Sequence, residues 1–213
     1  MTINVVSAAG ERTAQFAAHI PELVRATGPK SYDYIFGPHK PLYQQFMARA
    51  WAASDNFFSH TQSVLALEDG AFLGVLIAHD GPEHYRLKDA VFPIIQDLIG
   101  HHDITPGLIK DLEVRADIAS YMNPHVPGDC RYIIVVSVPE TARGKGVGRT
   151  LMAYEIERAR AAGYRTLHLD VMSDNPAVGL YAALGFEVMA ETITPIPCRR
   201  HGIAMELRMV LVL

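Results

Sequence analysis

The stretch VVSVPETARGKGVGR, residues 135–149, decides how the rest of the chain is interpreted. Residues 132–138 are rich in β-branched side chains and predict a strand that stops at Pro139, and a helix is predicted to start near Gly146. The glycines at 144, 146 and 148 remove Cβ atoms that would keep a ligand away from the backbone. The turn therefore presents free N–H groups at the positive end of a helix, where an anion such as a pyrophosphate binds.

The spacing within this turn separates it from two common phosphate-binding loops. The loop of nucleotide triphosphatases needs G-x-x-x-x-G-K-S/T, which the turn lacks. The dinucleotide fingerprint G-x-G-x-x-G begins at Gly144, but Arg149 stands where its third glycine belongs. The pattern that fits is Q/R-x-x-G-x-G/A, read from Arg143 to Gly148.

A second block, LDVMSDNPAVGLYAALGF at residues 169–186, follows in the order that one known family shows. It contains a strand, Asn175 before a helix, Val178 where the family has a small residue, a Leu-Tyr pair at Tyr181 and a closing Gly-Phe. With the turn at 143–148, it resembles the GCN5-related N-acetyltransferase (GNAT) superfamily, in which this turn holds the pyrophosphate of acetyl-coenzyme A (acetyl-CoA). The resemblance is strongest over residues 132–191. It implies an α/β (α+β) fold, with a mixed, mostly antiparallel sheet of six to seven strands flanked by helices.

Length and composition limit the class of protein. With 213 residues, the chain is expected to form a single domain, 1–213, and its 49% hydrophobic content is enough for a substantial core. A net charge of −4 and the lack of a basic run give no support for a nucleic-acid partner. Cys130 and Cys198 match no metal-binding spacing, so no metal is expected. Neither a signal-peptide pattern nor an apolar run of about 18 residues is present, which favours a cytoplasmic protein without a membrane partner.

Hydrophobic periodicity predicts the remaining elements. Residues 31–38 and the proline-rich 194–197 are predicted to be irregular, and residues 82–127 to form a helical insertion before the cofactor-binding strand. The last strand alternates apolar residues with Glu206 and Arg208, which predicts one buried face. The predicted strands are 2–7, 61–68, 71–79 (after a turn at Asp69–Gly70), 131–138, 166–171, 186–191 and 204–211, and the predicted helices are 11–26, 41–53, 146–162 and 176–184.

The resemblance also assigns the cofactor-binding residues. In the family, the strand before the loop separates from its neighbour at a bulge, and its free N–H and C=O groups pair with the pantetheine arm. Asn175 either hydrogen-bonds this arm or caps its helix, two roles that are compatible. The residues implied are Val136, Ser137 and Val138 for pantetheine, and Arg143, Gly144, Lys145, Gly146, Val147, Gly148 and Arg149 for the pyrophosphate.

Tyr181 is the candidate catalytic acid. A phenol with a pKa of about 10 is protonated at neutral pH and can donate to a thiolate leaving group whose conjugate acid has a pKa of about 8.5. Packing of the helix onto the sheet is the alternative role for Tyr181, because water can also supply the proton.

The acceptor site and the general base are less defined. The helices after the first strand border the acceptor site in the family, which makes Tyr32, Tyr34 and Phe36 candidates to shape it, with capping of the core as the equal alternative. Residues 83–117 carry seven acidic and four basic residues, an excess that suits a cationic amine, although a solvated helix face also explains it. No carboxylate lies on the strand that enters the loop. The candidate bases are Asp111, Glu113, Asp117, His60, His79 and His84. Glu113 is also a candidate substrate-binding residue. His101 and His102 are expected to lie on the surface.

Taken together, the residues and the resemblance predict an N-acetyltransferase that transfers the acetyl group of acetyl-CoA, its co-substrate, directly to a primary amine of a small molecule. A non-catalytic acyl-CoA-binding sensor or regulatory module, and transfer of a longer acyl group, are the alternatives. A homodimer is common in the resembled family.

Overall fold

A computed structural model describes residues 2–37, 39–101 and 104–213. Within these residues, seven strands form one sheet in the order β1-β2-β3-β4-β5-β7-β6. Neighbouring strands are antiparallel except for β4 and β5, which are parallel, so the predicted mostly antiparallel sheet is confirmed. The strands are β1 (Asn4–Ser7), β2 (Ser63–Glu68), β3 (Ala71–Asp80), β4 (Cys130–Ser137), β5 (Thr166–Met172), β6 (Glu187–Thr192) and β7 (Glu206–Val212).

Helices cover both faces of this sheet. Those described are α1 (Glu11–Gln15), α2 (Ile20–Ala26), α3 (Pro29–Phe36), α4 (Lys40–Ala52), α5 (His84–Asp89), α6 (Val91–Gln96), α7 (Pro106–Ser120), α8 (Val147–Ala161), α9 (Ala177–Ala182) and α10 (Pro195–His201). None of the described helices is long and apolar enough to cross a bilayer.

Two hydrophobic clusters lie on opposite faces of the sheet. On one face, Leu151 and Ile156 of α8 pack with Tyr181 of α9 onto strand residues such as Leu169. On the other face, residues of α2, α4, α6 and α7 form one cluster, which includes the fully buried Trp51 of α4. The end of the sheet where β4 enters the predicted loop is thus held between two packed layers.

Three segments differ from the sequence predictions. The aromatic segment 31–38 was predicted to be irregular, but residues up to Phe36 belong to α3, which has a proline in its first turn. Pro38 lies outside the described residues. The predicted helix 11–26 is divided into α1, a 3₁₀ turn and α2, and Pro21 lies in the first turn of α2 because proline is tolerated there. The proline-rich connection continues as α10, which begins at Pro195.

The prediction of one buried face on β7 is wrong. Leu207 and Met209 are buried on one face, but Glu206 and Arg208, on the other face, are 7% and 2% exposed. Arg208 lies opposite Asp170 of β5 and forms an ion pair with it, so the alternate face of this strand is a buried polar layer rather than a solvated one. That layer borders the candidate site.

Candidate active site

The candidate site begins where β4 and β5 separate. Their parallel pairing ends at Ile133 and Leu169. On the other side of β4, Ile133 and Val135 pair with consecutive residues of β3, so Ile134 is the extra residue of a β-bulge. A bulge bends its strand and increases its twist. The edge of β4 that faces β5 therefore has no strand partner from residue 134 to residue 137.

A cleft of about 500 Å³ lies along this opening. One wall is formed by β4 and the other by β5 and the start of α9. Six of the predicted cofactor-binding residues line it, together with the candidate catalytic Tyr181, and the six are Val136, Ser137, Val138, Arg143, Gly148 and Asn175. The divergence of the strands thus produces a groove with free backbone groups along one side.

The loop at residues 143–149 borders the cleft, with Arg143 and Gly148 in its lining. Gly144 and Gly146 have φ angles of +74° and +80°, a region that strains other residues. Gly148 has a different role, since a Cβ there would lie 3.3 Å from Leu180 Cδ2, which would have to shift by a few tenths of an ångström. Among the described residues, no acceptor takes a hydrogen bond from the backbone amides of residues 144–149. These amides lie at the N-terminus of the 15-residue α8, where the helix dipole favours negative charge.

Cationic side chains surround these amides. Arg143 donates from Nε to the carbonyl of Val138 at 3.3 Å, which holds its guanidinium at the cleft. Lys145 and Arg149 are exposed on the same loop. The loop therefore combines backbone donors with three positive charges, an arrangement that favours a pyrophosphate.

Tyr181 and Asn175 lie on the β5 side of the cleft. Tyr181 is 6% exposed, and burial raises its pKa to about 12. Its ring packs against Phe186 with centroids 6.0 Å apart. Asn175 accepts from the amide of Ala177 at 2.9 Å and donates to the carbonyl of Thr27 at 3.2 Å. Asn175 therefore caps the start of α9 and ties it to the segment between α2 and α3.

A second cavity of about 330 Å³ adjoins the cleft at the point of divergence. The two share a wall that includes Ile134, Asp170 and Met172. Most of the second cavity is apolar, and its aromatic and aliphatic lining includes Tyr32, Ile35, Phe57, Phe58 and Val91. Molecules bound in the two cavities would therefore contact common residues beside the bulge at Ile134.

Glu206 lines the second cavity and was missed by the sequence analysis. It lies opposite Met172, one strand away from the divergence. Burial raises the pKa of its carboxyl to about 8, the negative charge of Asp170 adds to this effect, and Arg208 opposes it. Alternation within β7 predicted that Glu206 points away from the apolar face, but only the tertiary structure shows that this second face is covered.

Asp170, the neighbouring carboxylate, is already paired. Arg208 donates to both of its oxygens, and the Tyr132 hydroxyl donates to Oδ2 at 2.7 Å. Arg208 also donates to the carbonyls of Pro124 and His125 at 2.8 and 2.9 Å. The charge of Asp170 is therefore balanced by Arg208, whereas no cationic side chain forms an ion pair with Glu206 in the described structure, and its neighbouring hydrogen-bond donor is the side chain of Asn123.

A protein-family comparison identifies the fold and its chemistry. The model of the Acetyltransferase (GNAT) family matches residues 30–186. The chain belongs to the GNAT family. The resemblance seen in the sequence is confirmed, and the protein is an acetyltransferase of a family that uses acetyl-CoA.

Solved GNAT structures share the fold over the whole chain. An N-acetyltransferase from Staphylococcus aureus Mu50 has a TM-score of 0.73 at 14% identity, over 98% of this chain and 100% of that chain. The NatC complex bound to Gag peptide and CoA gives 0.56 at 15% identity, covering 100% and 99%. An agmatine N-acetyltransferase mutant gives 0.55 at 19% identity, covering 99% of each chain. A comparison with curated proteins gave no match.

The other candidate side chains of this GNAT protein are dispersed. Of the predicted acceptor residues, only Tyr32 lines the second cavity. Tyr34 packs against His201, Phe36 packs against Tyr43, and Glu113 accepts from Gln96 at 2.9 Å. These three side chains are not on the wall of either cavity.

The histidines named as candidate bases also differ in position. His84 lines the second cavity and lies 3.0 Å from His79, ring nitrogen to ring nitrogen. Burial, followed by neighbouring charges, lowers the pKa of His79 to about 3 and that of His84 to about 4. His60 is bound to the carbonyl of Trp51. Asp111, Asp117 and His101 are exposed, and His102 lies outside the described residues. In the described ranges, no three His, Cys, Asp or Glu side chains lie together as a metal site.

Proposed function

We propose that the protein transfers the acetyl group of acetyl-CoA directly to the primary amine of a small molecule. The observation that carries this proposal is that two cavities share lining residues at the separation of β4 and β5. Because both substrates reach the same point from different sides, the amine can attack the thioester without an acyl-enzyme intermediate.

The size of the second cavity supports a small acceptor. At about 330 Å³, it lies near the lower end of small-molecule pockets. Helices α3, α5, α6 and α7 or the segments beside them contribute to its wall. Similar folds include a complex bound to a peptide and an agmatine N-acetyltransferase, so the fold alone does not select the acceptor. The volume and its enclosing helices favour a small amine.

Residues of this chain fit the parts of acetyl-CoA one by one. The unpaired amides of residues 144–149, with Arg143, Lys145 and Arg149, bind the pyrophosphate. The free edge of β4 at Val136 and Ser137, continued at Val138, pairs with the amide groups of the pantetheine arm. This alignment brings the thioester to the bulge, where backbone N–H groups without a strand partner polarise its carbonyl.

Tyr181 assists departure of the sulfur. Burial keeps its hydroxyl protonated across the neutral range, so the O–H is available as a donor from the cleft wall. As the C–S bond breaks, the hydroxyl stabilises the developing thiolate, and the proton moves to sulfur as the thiol leaves.

Thiol release in the presence of acetyl-CoA and a panel of small primary amines tests this function. The expected result is amine-dependent release of one thiol for each acetylated product, with the product identified by its mass. Release that is no faster with any amine than with buffer would overturn the proposal.

A further inference from the structure

Glu206 and the lining of the second cavity together point to a more specific acceptor. We propose, on the basis of the function above, that the acceptor is a monoamine on a compact apolar body, and that Glu206 binds its ammonium group and removes a proton. The inference rests on which side chains line the cavity and on which of its charges are already neutralised.

The apolar part of the cavity is suited to an aromatic or aliphatic body. Tyr32 and Ile35 come from α3, Phe57 and Phe58 from the segment after α4, and Val91 from α6. Tyr32 also packs its ring against Tyr43, with centroids 5.5 Å apart, which fixes this wall. A hydrocarbon body gains by leaving water here, whereas a chain with several amino groups loses hydration.

The charged part of the cavity offers one place for an ammonium. Among its described lining residues, the lysine and carboxylic acid side chains are Lys88, Asp170 and Glu206. Asp170 is balanced by Arg208 and hydrogen-bonded by Tyr132. Glu206 is thus the carboxyl that remains to receive a cation, and the exposed Lys88 disfavours a second ammonium group.

The groups around Glu206 set its basicity. Asp170 on β5 raises its proton affinity, Arg208 on β7 lowers it, and Asn123, after α7, also lowers it. The hydroxyls of Tyr32 on α3 and Tyr132 on β4 are neutral neighbours, since burial raises the pKa of both. His84 and Lys88, from α5, face the same cavity. A carboxylate with a pKa of about 8 is a stronger base than an ordinary one, which suits removal of a proton from an ammonium.

The proton balance of the transfer is complete with these groups. Glu206 takes one proton from the ammonium, which frees the nitrogen lone pair. The nitrogen attacks the thioester carbonyl carbon, the C–N bond forms and the C–S bond breaks. Tyr181 protonates the sulfur and regains a proton from the nitrogen through solvent, and Glu206 releases its own proton to solvent.

Steady-state kinetics with chosen amines test the acceptor class. The probes are phenylethylamine and hexylamine as apolar monoamines, putrescine and spermidine as polyamines, and a short peptide with a free N-terminus. We expect kcat/KM to be at least tenfold higher for the better apolar monoamine than for either polyamine or the peptide. A polyamine or the peptide as the better substrate would overturn this inference and leave amine acetylation intact, whereas no turnover with any amine would overturn both.

Glu206→Gln tests the role of the carboxyl. We expect kcat/KM for the best amine to fall by at least 100-fold, with acetyl-CoA affinity unchanged by calorimetry. In the wild type, kcat/KM should rise with pH up to about 8, and this rise should be absent from the variant. Glu191→Gln, at an exposed position of β6, is the matched control and should retain both the activity and the pH dependence. A Glu206→Gln variant with wild-type kcat/KM would refute the assignment.

Discussion

Substitution of Glu206 by glutamine should stabilise the protein at alkaline pH, because the native structure opposes ionisation of this carboxyl. Burial raises its pKa from the ordinary value of 4.5 to about 8, so the folded protein retains a proton that the unfolded chain has already released. Stability is therefore lost as pH rises from about 4.5 to about 8. At about 1.4 kcal/mol per pH unit, this loss is at most about 5 kcal/mol above pH 8.

The glutamine variant removes this titration and keeps the shape of the side chain. Urea and thermal unfolding of both proteins between pH 5 and pH 9 measure the effect as a difference, in which the other titrating groups cancel. At pH 5 the two should be similar in stability, because Glu206 is then a neutral carboxyl in the folded wild type. At pH 9 the variant should be more stable by up to about 5 kcal/mol, or by roughly 10–20 °C in Tm for a chain of this length.

Two controls make this result specific. Glu191→Gln changes an exposed carboxyl on the neighbouring strand, so its stability difference from the wild type should not vary with pH by more than a few tenths of a kcal/mol. A Glu206→Gln variant that is less stable than the wild type at pH 9 would mean that Glu206 is ionised and favourably paired in the fold. That result would refute the reasoning for the basic carboxyl.

Three further substitutions test other parts of the site. Gly146→Asp should weaken acetyl-CoA binding by at least 100-fold in calorimetry, because it strains a φ of +80° and adds a negative charge among the anion-binding amides. The control variant Gly163→Asp has a similar φ of +81° at the other end of α8 and should keep the wild-type affinity. Equal losses in the two variants would contradict the loop assignment. Tyr181→Phe should lower kcat by about 10²-fold and leave acetyl-CoA affinity unchanged, and an unchanged kcat would reduce Tyr181 to a packing residue. Asp170→Asn leaves the buried Arg208 without its counter-ion, so urea unfolding should show a free energy of unfolding lower by about 3–5 kcal/mol. A loss under about 1 kcal/mol would show that the pair is not buried as described.

The cofactor cleft was the part of the site most accessible from sequence. Local backbone geometry requires glycine where φ is positive, as at Gly144 and Gly146, and a polar side chain at the start of a helix, as at Asn175. Such positions can be recognised from residue type and spacing. The bulge at Ile134 could not be predicted, because it depends on the register of β4 against β3 rather than on the identity of one residue.

Helix α3 was missed for a different reason. Tyr32, Tyr34 and Phe36 recur at every second position, which is the period of a strand, and proline and glycine flank the segment. In the helix they point to three environments, since Tyr32 lines the second cavity, Tyr34 packs on α10 and Phe36 packs on α4. The helix also places Tyr32, Ile35 and Phe36 at helical spacing on one hydrophobic cluster, but a segment of eight residues is too short for this spacing to outweigh the alternation and the flanking proline and glycine.

The polar layer on β7 also exceeded what a local pattern can predict. Alternation correctly predicted the strand, but whether its second face meets water depends on elements far away in sequence. Asp170 pairs with Arg208 across 38 residues, and the segment at Pro124 and His125 covers the same guanidinium. The acceptor-side residues therefore became recognisable only after the helices between β3 and β4 were placed.

The central claim is that acetyl-CoA binds in the opening between β4 and β5 and at the loop 143–149. Hydrogen exchange with and without acetyl-CoA tests this claim most directly. In the free protein, the amides of residues 144–149 should exchange quickly, because no acceptor in the described structure pairs with them. Acetyl-CoA should slow exchange in peptides that cover residues 134–149 and leave those from β1 and β6 unchanged. Slower exchange confined to other parts of the chain, with residues 134–149 unaffected at saturating acetyl-CoA, would contradict the account.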